Sequence, residues 1–305
     1  MPALAVADAL RDKDADVSFL GARGRPEAEL IPAAGYEVDF LRVRGLDRGA
    51  PLKAVSAATL AAAAVPAARK ALRRRRAEVV MGGGGYVAGP AGLAALSASL
   101  PLVLTEADRH LGLANRVLAR RARRVCLAFP IPGRDAGRYL VTGRPVPAEI
   151  LAADRDRARR RFQIAGHRDY PLARQRLDAA IGPERYTLLE YEPTLADPLA
   201  ACDLVLARAG GSVFELAAAG RPAILVPYPH ATARHQDANA AWMSDAGAAL
   251  VIDDSELDPG TLVRTVAGLF ADGRRLERMA AASRALARPD AAKQIANEIL
   301  EAART

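Results

Sequence analysis

The chain has 305 residues, of which 51% are apolar and 26% charged, with a formal net charge of +8 at neutral pH. That composition is globular and excludes a disordered, collagen-like or multi-spanning membrane chain, while the length favours two domains at the usual ~100–200 residues each. Two cysteines, Cys126 and Cys202, exclude a disulfide framework and a four-ligand zinc site, and they point to a reducing compartment.

The charge is uneven along the chain. Residues 1–145 carry 23 Lys and Arg against 13 Asp and Glu, whereas residues 146–305 carry 20 against 22. A basic half beside a neutral one predicts an anionic surface or substrate met by the first half only. Arginine outnumbers lysine 39 to 4 throughout, so a single arginine carries little weight. The opening residues turn acidic within ten positions and lack the basic leader of a secretory signal.

Short apolar runs alternate with Ala-rich or amphipathic helical stretches, the pattern of parallel sheets covered on both faces. In chain order the first half predicts strands at Val17–Leu20, Glu37–Val43, Val79–Met81, Leu102–Thr105, Val125–Phe129 and Tyr139–Thr142. The uncharged run from Val79 to Thr105 is long enough for a membrane span, but Gly82 to Gly85, Gly89, Pro90, Gly92 and Pro101 divide it into strand, glycine loop, helix and strand. The second half predicts strands at Phe162–Ala165, Thr187–Glu190, Asp203–Ala207, Ala223–Pro227 and Ala249–Ile252. Two doubly wound α/β domains follow, 1–143 and 144–305, joined at Gly143–Pro147, with a final helix broken at Pro289 that caps the second domain or returns to the first.

Three clusters carry candidate chemistry. In Val79–Pro90, Gly82, Gly83, Gly84 and Gly85 sit between a buried strand and a helix, where backbone can approach an oxyanion and helix-opening N–H groups attract negative charge. A tight turn needing positive φ is the plainer reading. In Asp203–Pro222, Gly210 and Gly211 precede Ser212 and Glu215, which have the spacing of a capping box; a carboxylate there is equally suited to a ribose diol. In Val226–Ala240, His230, His235, Gln236 and Asn239 offer donors and acceptors for hydroxyls and phosphates, without the carboxylate or cysteine spacing of a metal site. Arg73–Arg76 and Arg120, Arg121, Arg123 and Arg124 read as charged helix ends, or together as a basic collar facing anionic lipid. Nucleic acid is the weaker partner, because aromatics are 5% of residues and none interleave with these runs.

These clusters, with Leu104–Asp108, Leu113–Asn115, Ala128–Pro130, Val141–Val146 and Ala246–Ala248, resemble the MurG family over nearly the entire chain. The resemblance implies a two-domain GT-B fold and an inverting transfer of N-acetylglucosamine from UDP-N-acetylglucosamine to an undecaprenyl-diphosphate-linked muramoyl-pentapeptide in peptidoglycan synthesis, without cofactor or metal. It implies a peripheral protein on the cytoplasmic face of the membrane, with the first domain against the anionic surface. By position, Glu215 would hold the ribose, Gly211 and Ser212 would approach the sugar and diphosphate, and Gln236 would contact the sugar hydroxyls, with Gly210 and His235 completing the donor-binding set. His235 stands where the family usually has glutamine. Gly82–Gly85 and Tyr86 would face the acceptor diphosphate. The family's opening strand and glycine loop are lacking ahead of Pro2, as is a second strand and loop after Arg161, so each domain is expected without its first strand-loop element. The loop histidine that serves as proton acceptor is lost with the first. No catalytic base is assigned, and Glu106 and Asp108 stand as candidates. A related lipid glycosyltransferase with another acceptor, and a non-catalytic lipid-diphosphate or membrane-binding paralogue, remain the alternatives.

Overall fold

The computed structural model describes residues 2–43, 51–135, 137–164, 189, 191–231 and 234–304. They divide into two units, residues 1–146 with 288–305, and residues 147–287.

The first unit opens with helix α1 (Pro2–Arg11), strand β1 (Ser18–Ala22), helix α2 (Glu27–Ala33) and strand β2 (Glu37–Leu41). It continues through α3 (Pro51–Arg74), β3 (Val80–Gly82), α4 (Gly85–Ser97), β4 (Leu102–Glu106), α5 (Leu113–Leu118), β5 (Arg124–Leu127) and β6 (Tyr139–Val141). All strands pair in parallel, in two sheets: β1 with β2, and β3-β4-β5-β6 in that order. Among the described residues no strand joins β1 to β3, although Leu20 and Leu41 pack into the same apolar cluster as Val80 and Leu104. Continuous hydrophobicity in β4 and β5 reflects coverage of both faces. Leu102, Leu104, Val125 and Leu127 point to one face, against Ala68, Leu72, Ala94 and Leu118, while Val103 and Cys126 point to the other. Burial pushes the Cys126 thiol up to about 12, in keeping with a strand residue. The Arg73–Arg76 run is partly structural, since Arg74 and Arg75 pair with Asp39 and Arg75 also with Glu37.

The second unit holds α6 (Ala148–Leu151), α7 (Arg155–Ile164), α8 (Ala196–Ala201), β7 (Val205–Ala207), α9 (Val213–Ala218), β8 (Ala223–Leu225), α10 (His235–Asp245) and β9 (Ala249–Val251). A single 3₁₀ turn at Asp254–Glu256 leads to α11 (Pro259–Ala271) and α12 (Gly273–Leu286). Its described sheet is β7-β8-β9, all parallel. The strand expected at Phe162–Ala165 is overturned, because residues 162–164 form the last turn of α7. Asp154 opens that helix by accepting the Arg157 N–H at 2.7 Å, and its arginines grip acidic residues at and beside α8: Arg155 and Arg159 hold Asp203, Arg157 and Arg161 hold Asp197, and Arg161 also holds Glu192. The strand expected at Thr187–Glu190 lies outside the described residues apart from Leu189.

After the break at residues 287–290, α13 (Ala291–Ala303) returns to the first unit. Ile295, Ala296, Ile299 and Ala302 form its buried stripe, spaced to lie on one helical face, and they close over Val103, Cys126, Val6 and Leu10. Arg124 at the start of β5 pairs with Glu298 on the same helix.

Candidate functional site

Both units place their candidate residues where parallel strands end and the following loops begin, the usual position of ligand sites in open α/β sheets. In the first unit, β3 ends at Gly82 and α4 starts at Gly85. Gly84 and Gly85 have φ of +80° and +75°, a left-handed backbone that favours glycine. A Cβ on Gly82 would stand 2.9 Å from Leu104 Cδ2, so close strand packing also selects glycine there. Gly83 and Gly84 donate no backbone N–H to any described residue. Tyr86 is turned toward α2: its hydroxyl donates to Glu27 Oε1 at 2.9 Å and its ring lies under the Arg25 guanidinium. Burial, and then the bond to Glu27, raise its pKa.

Beside this loop, Glu106 ends β4 with its carboxylate buried. Oε2 accepts from Gly112 N at 2.8 Å and Asn115 Nδ2 at 3.0 Å, and Oε1 accepts from Asp108 N at 3.2 Å. The carboxylate thus orders the 107–112 loop and fastens it to α5. Asn115 also donates to Thr105 O at 2.9 Å, while its buried Oδ1 has no partner among the described residues. An ideal Cβ on Gly84 would lie 3.8 Å from Asn115 Nδ2, which places this amide beside the glycine loop. Asp108 is half-buried, and its carboxylate oxygens accept nothing from described residues.

In the second unit, Arg208 to Ser212 connect β7 to α9. Ser212 occupies the N-cap position, yet its hydroxyl makes no capping bond, so the capping-box reading of Ser212 and Glu215 does not hold. The Gly211 and Ser212 N–H groups likewise bond to no described residue. Glu215 lies in the first turn of α9, half-buried. The turn is pinned from α10 by Asn239, whose Nδ2 donates to Ala209 O at 3.0 Å and to Gly210 O at 3.4 Å. His235 and Gln236 begin α10, and Gln236 Oε1 accepts from Tyr228 N at 2.9 Å. Arg208 reaches across the same edge to the carbonyls of Val226 and Pro227, at 3.3 Å each, and to Asp254.

The fold therefore brings Gly210, Gly211, Ser212, Glu215, His235 and Gln236 to one sheet edge of the second unit. Gly82 to Tyr86, Glu106 and Asp108 share one edge of the first. Sequence reasoning missed Arg208, because arginine is so common here, and Asp254. Asn115 entered only through the resemblance, and a lone asparagine inside a short apolar helix is the signal that marks it, whereas Asn239 already stood among the polar residues of the third cluster. Among the described residues no group of three or more His, Cys, Asp or Glu is placed to hold a metal ion, and no helix is long and apolar enough to cross a membrane.

Comparison with known proteins gives the glycosyltransferase family 28 N-terminal domain over residues 1–127 and the family 28 C-terminal domain over residues 154–295. A Methylococcus capsulatus protein named UDP-N-acetylglucosamine–N-acetylmuramyl-(pentapeptide) pyrophosphoryl-undecaprenol N-acetylglucosamine transferase is 39% identical over 337 aligned positions, covering 99% of this chain and 95% of its own. A Moorella thermoacetica protein of the same name is 35% identical over 353 positions, covering 98% and 95%. Alignments longer than this 305-residue chain close only by leaving stretches of the relatives unmatched. The crystal structure of Acinetobacter baumannii MurG superposes with a TM-score of 0.75 at 28% identity, covering 98% of this chain and 95% of that one. The calicheamicin glycosyltransferase CalG4, at 17% identity and a TM-score of 0.67, shares the fold.

Proposed function

Because this chain belongs to glycosyltransferase family 28, and within it to the MurG family, with a two-domain GT-B fold, we propose that it transfers N-acetylglucosamine from UDP-N-acetylglucosamine to an undecaprenyl-pyrophosphoryl muramoyl-pentapeptide. The observation that carries this reading is the second unit's sheet edge, where uncommitted N–H groups of Gly211 and Ser212, the uncapped Ser212 hydroxyl and the Gln236 amide all lie at or just after the ends of adjacent strands. Such donors suit a diphosphate and a sugar, and they act on the leaving group as negative charge develops on it. Glu215, on the first turn behind them, is assigned to the ribose diol.

In the proposed reaction an acceptor hydroxyl attacks the anomeric carbon from the face opposite the diphosphate. The new carbon–oxygen bond forms as the bond to the diphosphate oxygen breaks, UDP leaves with the electron pair, and the configuration inverts. The hydroxyl proton passes to a carboxylate on the acceptor side. Glu106 is occupied by three N–H donors, so Asp108 is assigned that role. Gly82–Gly85 take the acceptor diphosphate, and Tyr86, held by Glu27, fixes the first turn of α4 behind them.

The same reading places the first unit against the anionic cytoplasmic face of the membrane. Support comes from exposed Leu93, Leu113 and Val117 on α4 and α5, close to exposed Arg116, Arg120 and Arg121. Arg120 and Arg121 also line a cavity of about 870 Å³ with Arg123, Arg124, Arg138, Glu298 and Glu301, where Glu298 pairs with Arg124. Exposed apolar side chains with arginines on the same stretch of chain suit anionic lipid, at about 1 kcal/mol per basic residue near the surface.

The test supplies radiolabelled UDP-N-acetylglucosamine and the lipid-linked muramoyl-pentapeptide in phosphatidylglycerol vesicles. Label in the lipid product is expected. Label delivered only to diacylglycerol would replace the acceptor. UDP binding without transfer to any lipid would overturn the catalytic reading in favour of a binding paralogue.

A further inference from the structure

Arg208 follows β7 directly and contacts both other strand-end loops of its sheet. Its Nη1 donates to Val226 O and Pro227 O, 3.3 Å each, and to Asp254 in the turn after β9, while its guanidinium lies 5.6 Å from the centre of the Tyr228 ring. Tyr228 carries the grip onward: its backbone N–H donates to Gln236 Oε1 at 2.9 Å. An N–H bonds only the oxygen of an amide, so this bond fixes which end of Gln236 is which, with Nε2 as the donor end. Arg208 and Asp254 are about half exposed, and a surface ion pair of that kind adds little to stability. A guanidinium whose one Nη1 is shared among two carbonyls and a carboxylate, with an aromatic ring beside it, is better matched to holding geometry than to holding the fold together.

We propose that Arg208, seated by Asp254, is a positioning residue for the donor sugar: it holds the 226–228 segment so that Tyr228 orients the Gln236 amide toward a sugar hydroxyl. The proposal rests on the donor-site reading above and deepens it. The uridine diphosphate part is bound elsewhere on the edge, by Ser212, the glycine turn and Glu215. Loss of Arg208 therefore weakens binding of UDP-N-acetylglucosamine while sparing UDP.

Titration calorimetry of the full chain with UDP and with UDP-N-acetylglucosamine tests it. Arg208→Gln is expected to raise Kd for UDP-N-acetylglucosamine about tenfold, which corresponds to about 1.4 kcal/mol, with Kd for UDP unchanged. In a Gln236→Ala background the same substitution is expected to add nothing, because the residue it positions is gone. Asp254→Asn, which leaves the arginine and its carbonyl bonds in place, is expected to shift the same ratio in the same direction by a smaller factor, and it runs the cycle independently should Arg208→Gln fail to fold. Parallel losses for both ligands, or full additivity with Gln236→Ala, would overturn the positioning role while leaving the donor site standing. A wild-type protein that binds neither ligand would overturn the donor site itself.

Discussion

The two sheet edges solve one problem in opposite ways. The first unit builds its edge around a buried carboxylate, with Glu106 gathering three N–H groups from the loop and helix that follow it. The second builds its edge around donors, with Arg208 and Asn239 each reaching backbone carbonyls of neighbouring loops. A buried acceptor that holds N–H groups makes stability depend on one side chain. Side chains that hold carbonyls spread that dependence over several loops, and both edges still keep glycine-loop N–H groups that bond to no described residue, at Gly83 and Gly84 in the first and at Gly211 and Ser212 in the second.

Exchanging the roles of two neighbouring carboxylates is the sharpest way to break this contrast. Asp108→Asn is expected to lower kcat by about 10²–10³, with KM for the donor and the melting temperature nearly unchanged, because a positioned base is worth about that much. Glu106→Ala is expected to destabilise the first unit by about 2–3 kcal/mol, read from denaturant unfolding, because it leaves the part-buried Gly112 N–H and one hydrogen of the buried Asn115 amide without an acceptor. A Glu106→Ala protein of normal stability and abolished kcat would reverse the assignment.

Packing behind the first edge gives a smaller effect. A Cβ on Gly92 would stand 2.5 Å from Leu118 Cδ1, where α4 meets α5, so Gly92→Ala is expected to cost about 1–3 kcal/mol by overpacking. Donor affinity should be unaffected, and a fall in UDP binding would show that the edges are not energetically separate.

Extremes of pH sharpen the comparison with the smallest changes. Tyr36 in the first unit is pushed up to about 12 by burial and by its bond to Asp8. A raised value contributes stability that is fully present below the unfolded pKa of about 10 and is lost as pH rises through the folded one. Asp258 in the second unit caps α11, and bonds from Thr261 and Gly260 hold its carboxyl below the usual range. That contribution is present above an unfolded pKa of about 3.9 and is lost as pH falls through the folded value. Alkaline melting is therefore expected to separate Tyr36→Phe from wild type less and less as pH climbs, and acid melting to do the same for Asp258→Ala. Gaps constant with pH would remove both groups from the account.

Most of the architecture was legible because parallel strands covered on both faces are continuous apolar runs, as in Leu102–Leu104 and Val125–Leu127. The glycine loops were legible because positive φ at Gly84 and Gly85 leaves little alternative to glycine. Phe162–Ala165 misled because three apolar residues after an arginine run satisfy a strand pattern, while helix α7 is stabilised by ion pairs to residues some forty positions away. Ser212 and Glu215 have capping-box spacing, but spacing does not specify where a hydroxyl points. Arg208 was hidden by composition, since one useful guanidinium among 39 leaves no local mark. Glu106 was legible as a candidate base, but its occupation by N–H donors depends on how the 107–112 loop folds back.

The first unit is not contiguous in the chain: α13 supplies one wall of the core above Val103 and Cys126. During synthesis that wall emerges from the ribosome only after the whole of the second unit. The nascent first-unit sheet consequently waits with an uncovered apolar face, while the second unit has already emerged and is free to fold. Translation order alone makes the first unit the later to mature and the more dependent on chaperones.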